Sequence, residues 1–171
     1  MVIGMVAILF ALGAGIAWCA EAIGYINSEQ LRHDYVGARD LDGQLEASIA
    51  DWRSQARDKE AEIDKLMTEL ESQRLLLSDE AAGEKQAAIQ QKQAAFEEFL
   101  NSVWGVGGLA AQREAELWQP VFDRVNAILE EIGAEGDYQM IFDAARGTIV
   151  YADPMTDLTQ QVLDKLNGSE E

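Results

Sequence analysis

One cysteine, one histidine and two prolines are all that 171 residues hold of those types. The cysteine, Cys19, falls in a leader segment, so the remainder has none. That excludes a disulfide framework and any cysteine-based metal site, and it leaves the redox compartment open. His33 stands beside Asp34 and Tyr35. A His-Asp pair without a nucleophile is not a catalytic triad, and His33 reads as a surface or interface residue of the first helix. Two prolines and 8% aromatic residues argue against a β-sandwich. Positive charge is also scarce: five lysines and eight arginines face 31 acids, for a net charge of −18. Such a surface repels phosphate, which argues against nucleic acid as a partner. It fits a high-salt habitat or simply a solvated acidic helical surface. The carboxylates are spread over helical faces rather than set as an acid–base pair, and no metal-ligand cluster stands out. Gly105-Val106-Gly107-Gly108 is not a phosphate loop, because no Lys-Ser or Lys-Thr follows and no strand precedes it. The chain therefore reads as a binding protein without a cofactor rather than an enzyme.

What is present begins with MVIGMVAILFALGAGIAWCA, twenty residues without a charge. Ala20-Glu21-Ala22 is an A-x-A pattern of the kind cut by signal peptidase. Cleavage there would start the mature chain at Ile23, so residues 1–22 read as a signal peptide. Twenty apolar residues also suffice to span a bilayer, which makes a retained anchor the alternative. A lipoprotein is disfavoured by Trp18, which stands where a small residue is needed before Cys19. The basic n-region is missing and the first cation is Arg32, so the start is truncated, misassigned or unusual. All three readings put the remainder outside the cytoplasm.

Ile23-Gly24-Tyr25-Ile26-Asn27 predicts a strand, with Asn27 or Ser28 capping the helix that follows. From Leu41, apolar residues recur at steps of three and four through Leu45, Ile49, Trp52, Ala56, Ile63, Leu66, Leu70 and Leu77. That is one narrow stripe on a long helix, and it asks for a single partner helix. Ser78 to Gly83 predicts the reversal. A second stripe of similar length runs through Ile89, Phe96, Leu100, Val103, Ala110, Leu117, Val121, Val125, Ile128 and Ile132. The two predict an antiparallel coiled-coil hairpin, with an arm over 41–117 that projects. Gly133 predicts the end of the second helix. Residues 138–142 and 148–152 predict two further strands, turning at Ala145-Arg146-Gly147. Asp157 predicts a cap for the last helix. Three strands leave unpaired edges, and oligomerisation is the simplest remedy. The fold class is thus α+β, with a discontinuous body of 23–40 and 118–171 carrying the arm.

These residues resemble the Skp (OmpH-family) periplasmic chaperones over nearly the whole mature chain. The likeness rests on the A-x-A leader, on Gly24-Tyr25-Ile26-Asn27-Ser28-Glu29-Gln30-Leu31, on the charged hairpin, and on Pro120 with Val125, Ala127 and Ile128 behind it. It closes on Gly136-Asp137-Tyr138, Tyr151-Ala152-Asp153 and Asp157-Leu158-Thr159. The resemblance implies a homotrimer whose β-bodies combine into a small barrel. Three arms then enclose a cavity that holds unfolded outer-membrane proteins without ATP. Familiar members are basic, so the acidity of this chain argues against carrying over lipopolysaccharide or anionic-lipid binding. Membrane contact would come only from a retained leader. The other function class is a membrane-tethered coiled-coil scaffold of the cell envelope; a hydrolase using surface carboxylates is a weaker third.

The candidate residues follow from this layout. Three successive leucines, Leu75, Leu76 and Leu77, cannot all face one partner helix, so they and Trp104 are candidate client contacts. Tyr25, Ile26, Ile141, Ile149 and Tyr151 alternate in the strands and are candidates for building the trimer body. Gly105, Gly107 and Gly108 interrupt the returning helix at about 1 kcal/mol each relative to alanine, and are candidates for a hinge.

Overall fold

The structure, a computed structural model, describes residues 22–147 and 149–168. The leader and its alternatives lie outside the described residues, except that Ala22 opens the first strand. In chain order the elements are β1 (Ala22–Ile26), α1 (Ser28–Asp34), α2 (Ala38–Gln73), α3 (Asp79–Trp104), α4 (Leu109–Glu135), β2 (Tyr138–Asp143), a 3-10 turn (Pro154–Thr156) and α5 (Thr159–Asn167).

Asn27 stops β1 and starts α1. Its side-chain oxygen accepts hydrogen bonds from the backbone N–H groups of Glu29 and Gln30, both at 3.1 Å. Without it, those two donors at the helix start would be orphaned. β1 pairs with β2 in parallel, Ile23 opposite Met140 and Ile26 opposite Asp143. Among the described residues, the opposite edge of β1 takes a single bridge from Tyr25 to Asp157, where Leu158 N donates to Tyr25 O at 2.8 Å.

α2 is 36 residues long, about 54 Å at 1.5 Å per residue. α3 lies against it, and the contacts run down one helix as they run up the other. Lys85 Nζ donates to Gln73 Oε1 at 3.0 Å, Lys92 pairs with Glu62 at 2.8 Å, and Lys59 lies over the Phe99 ring at 5.2 Å. Apart from Ala38, which joins the body core, only Ile63, Ile89 and Val103 are buried along this pair. The thin stripe read from the sequence therefore makes a seam and not a core.

The core lies at the other end. Ile26, Leu31, Tyr35 and Ala38 from the start of the described chain pack with Trp118, Ile128 and Ile132 of α4 and with Leu158, Val162, Leu163 and Leu166 around α5. Both termini of the described chain are needed to close it.

Three expectations are corrected and one, the interruption at the glycines, is sharpened. Among the described residues of the segment read as a third strand, 149–152, no strand forms; Thr148 lies outside the described residues, and Val150 is 99% exposed. The reversal is made earlier, by Arg74 to Leu77, because Ser78 caps α3: its Oγ accepts from Ala81 N. Ala81, Ala82 and Gly83 consequently belong to the helix. The returning helix is two helices, broken at 105–108. Gly133 lies inside α4, which runs on to Glu135 and ends at Gly136.

Core and seam predict different responses to truncation. Ile128→Ala, at a site 2% exposed, should cost about 2–5 kcal/mol in a urea titration. Leu75→Ala at the fully exposed tip should stay within about 0.5 kcal/mol of the parent.

Candidate functional site

No catalytic arrangement emerges among the described residues. His33 is exposed and bonds its neighbour Asp34, Nδ1 to Oδ1 at 2.6 Å. That hydrogen bond holds the Asp34 carboxyl below its usual value. Among the described residues, no group of three or more His, Cys, Asp or Glu side chains could hold a metal ion. What the fold offers is surface, in three places: the outer face of the body, the arm, and the joint between them.

The body face follows from strand alternation. Gly24 and Ile26 of β1 turn inward and are buried, while Ile23 is 50% exposed. On β2, Ile141 packs against the core, as does Tyr138 on the far side of a register irregularity opposite Ala22/Ile23, while Met140 and Phe142 face outward, 57% and 45% exposed. Tyr151 and Met155 extend this apolar surface, both almost fully exposed. Ile23, Phe142 and Tyr151, together with Tyr25, Ile149 and Val150, line an open hollow of about 430 Å³. Of the five residues read as building the body, Ile26 and Ile141 thus turn toward the subunit's own core, and Tyr25, Ile149 and Tyr151 line the outward hollow. Ile23, Met140, Phe142 and Met155 were missed. For the strand residues the signal was available: they sit an odd number of positions from the inward Ile26 and Ile141.

Polar bonds hold this face in place. Burial raises the Tyr25 phenol's pKa, and the negative charge of Asp157, a hydrogen bond to it and the charge of Asp153 push the same way. Asp157 also accepts from Thr159 N at 2.9 Å, and Asn27 N donates to Thr159 Oγ1 at 2.9 Å. The sequence places the cap at Asp157; in the structure the N-cap is Leu158, which makes no side-chain cap bond, and Asp157 one residue earlier holds Thr159 instead. At the far end of β2, Asp143 accepts from Ser28 Oγ at 2.7 Å and from the N–H groups of Ser28 and Ala145 at 3.1 and 3.0 Å. This carboxylate staples the end of β2 to the start of α1.

On the arm, Leu75 and Leu76 at the tip are 99% and 86% exposed, and Leu77 is partly covered. Below them a groove of about 410 Å³ opens between Met67, Leu70, Glu71 and Arg74 of the outgoing side and Ala82, Gln86, Ile89 and Gln93 of the returning side. Trp104 is 41% exposed, its ring set edge-on to Phe99 at 6.2 Å. Trp104 closes α3, and the 105–108 break follows. Gly107 has φ +70°, and a Cβ on Gly105 would lie 2.3 Å from Asn101 O. The glycines are therefore demanded by the loop's geometry. They set apart an exposed Val106 opposite an unbroken α2.

At the joint, Arg32 of α1 lies over the Trp118 ring at 4.6 Å and bonds Glu114 of α4 at 2.6 Å. Tyr35 and Phe122 flank the same indole, whose Nε1 is buried without a hydrogen-bond partner. Lys165 of α5 reaches Glu131 at 2.7 Å and Glu135 at 3.7 Å. Nothing in the periodicity announces these pairings, since Arg32 and Glu114 are 82 residues apart.

Comparison with known proteins agrees with this layout. A sequence model of the family described as outer membrane protein (OmpH-like) matches residues 22–166. A search of curated proteins found no match. Among solved structures, one from Caulobacter crescentus CB15, described as an outer membrane chaperone (OmpH-like), superposes with a TM-score of 0.71. It is 15% identical, covering 88% of this chain and 86% of that one. At that identity the likeness speaks for the fold alone.

The Asp143 staple gives a pH test. Burial works to raise its pKa, but the bonds from Ser28 Oγ, Ala145 N and Ser28 N, with the nearby Arg146 charge, outweigh it and hold the carboxyl below its usual range. A lowered native pKa adds stability that is full above the unfolded carboxylate value and is lost as pH falls through the folded one. Asp143→Asn should therefore lower stability at neutral pH, and the gap to the parent should shrink as pH falls below the ordinary aspartate value of about 3.9. Urea midpoints at neutral pH and below that value check this.

Proposed function

The chain belongs to the OmpH-like outer membrane protein family, and from that premise we propose that it is a periplasmic holdase chaperone acting as a homotrimer. Three bodies, residues 23–40 and 118–171 of each copy, close a small barrel. Three antiparallel coiled-coil arms, residues 41–117, leave the barrel and enclose a cavity. Unfolded outer-membrane proteins are kept there apart from one another. Neither ATP, a metal nor a catalytic group takes part.

The observation that carries this reading is the apolar outward face of Ile23, Met140, Phe142, Tyr151 and Met155. Fully burying one large apolar side chain stabilises by about 1.5–3 kcal/mol, whereas association costs about 4–15 kcal/mol. One such residue would not hold two copies together, but five on one face can. The core itself needs none of them, so they are free to serve assembly. Exposed apolar area on this scale is otherwise an aggregation hazard.

The arms suit holding and not shaping. Their seam is thin, their flanks are solvated, and their apolar exposure is concentrated at Leu75 and Leu76, with Leu77 beside them, and at Trp104. Scattered weak contacts retain an unfolded chain without fixing its conformation. The break at Gly105, Gly107 and Gly108 lets the returning strand of the hairpin flex while α2 stays continuous, so the cavity can follow clients of different size. The net charge of −18 argues against lipopolysaccharide as a ligand and sets a client preference distinct from that of cationic relatives.

Light scattering from an aggregating β-barrel protein diluted out of denaturant tests the proposal. The purified protein should suppress the signal in proportion to its concentration, reaching a plateau near one trimer per client, with no nucleotide added. A scaffold would leave aggregation unchanged, and that result would remove the holdase reading.

A further inference from the structure

The break between α3 and α4 does more than interrupt the returning side of the arm. Gly105 N donates to Asn101 O at 2.8 Å, Gly108 N to Gly105 O at 2.9 Å, and Gln112 Nε2 to Gly107 O at 2.8 Å. A Cβ on Gly108 would lie 2.7 Å from Val103 O, just as one on Gly105 would meet Asn101 O. The turn is thus built from glycine on both sides of Val106, and Val106 stands wholly in solvent. Trp104 before it is 41% exposed and Leu109 after it 42%. Three exposed large apolar side chains therefore fall within six residues, on the body side of the Lys59–Phe99 contact. Glu97 lies seven residues before Trp104, two turns along α3 and on the same face. Glu97 and its neighbour Glu98 are exposed, and among the described residues neither has an ion pair. The nearest cations in the chain are committed elsewhere, Lys92 to Glu62 at 2.8 Å and Arg113 to Glu116 at 2.9 Å.

We propose that this turn grips one class of client segment: an extended, unfolded stretch in which a large apolar side chain stands about three residues from a Lys or Arg. The proposal rests on the holdase reading above and adds to it the chemistry of the client and the place on the arm that holds it. The apolar side chain covers Trp104, Val106 and Leu109, and the cation reaches Glu97. Seven helical residues rise about 10 Å. An extended chain advances about 3.3–3.6 Å per residue, so three of its residues span that distance. Charge decides between occupants. A second copy would bring a further −18 against these two carboxylates, and an anionic lipid surface would be repelled in the same way, whereas a basic apolar segment is attracted. An exposed ion pair contributes little by itself. The apolar contact therefore retains the segment, and the carboxylates select it by sign.

The test titrates the full chain into two fluorescein-labelled peptides, one repeating Leu-Ser-Ser-Lys and the other Leu-Ser-Ser-Glu, and reads anisotropy at low salt. The Lys peptide should bind about tenfold more tightly than the Glu peptide, and the gap should narrow as added salt screens the charges. Val106→Ser keeps all three glycines and removes only the exposed side chain; it should weaken the Lys peptide about fivefold. Glu97→Gln should weaken it about threefold, and Glu60→Gln, an exposed carboxylate of α2, should leave it near the parent value. The proposal is overturned if Val106→Ser binds like the parent, if Glu97→Gln does no more than Glu60→Gln, or if the Glu peptide binds as well as the Lys peptide. It is equally overturned if Val106→Ser lowers the sedimented mass, which would make the turn a contact between copies. Loss of flotation with phosphatidylcholine vesicles at unchanged peptide binding would overturn it too, by assigning the turn to lipid. In each case a parent that still suppresses aggregation of a β-barrel protein leaves the holdase reading standing, whereas a parent that does not removes both.

Discussion

Strand β1 opens the described chain, and its parallel partner β2 comes after four helices. A parallel pair cannot be joined by a tight turn and needs a crossover connection; here the crossover is the entire arm. Ser28 and Asp143, 115 residues apart, are bonded across the junction, and the core beside it draws on both ends of the described chain. The arm exists as a loop that this pairing closes. Loop-closure entropy grows only as the logarithm of length, about 0.6 kcal/mol per doubling, so a long projecting arm costs the body little more than a short one.

That division of labour explains where the apolar residues went. The body spends its large side chains on a core of its own, on Trp118, Ile128, Ile132 and Val162, and has a second set left over on the outward face of a two-stranded sheet. The arm receives only enough for a seam. Its remaining surface is charged and solvated, with apolar exposure confined to the tip and to the glycine break. The joint between body and arm is held by Arg32 against Trp118 and Glu114, and by Lys165 against Glu131. Because these ion pairs are largely exposed, each is worth at most about 1 kcal/mol; the buried indole does more to fix the joint than the charges around it.

Much of this was readable in the residues. The strand at Ile23 to Ile26, the Asn27 cap and the long outgoing helix all follow from local patterns that act at short range. The places that resisted are those where a local signal had two meanings. Ser78 marks a turn or a helix start, and it starts α3. Gly133 marks a helix end or a close approach, and α4 passes through it. The β-branched run at 148–150 reads as a strand, but a strand needs a neighbour, and among the described residues β1 gives that edge only the Tyr25–Asp157 bridge. Parallel pairing itself, the Arg32–Trp118 joint and the tip groove depend on residues far apart in the chain, and no window of sequence contains them. The face of β2 was decidable in principle, because inward Ile141 fixes outward Met140 and Phe142.

The account stands or falls on whether the outward face of the β-body is completed by other copies. Sedimentation equilibrium of the purified protein at micromolar concentration, over a range of salt, measures this directly. A single species at three times the chain mass, persisting as salt rises because the contact is apolar, is the predicted result. A folded monomer under those conditions would contradict it.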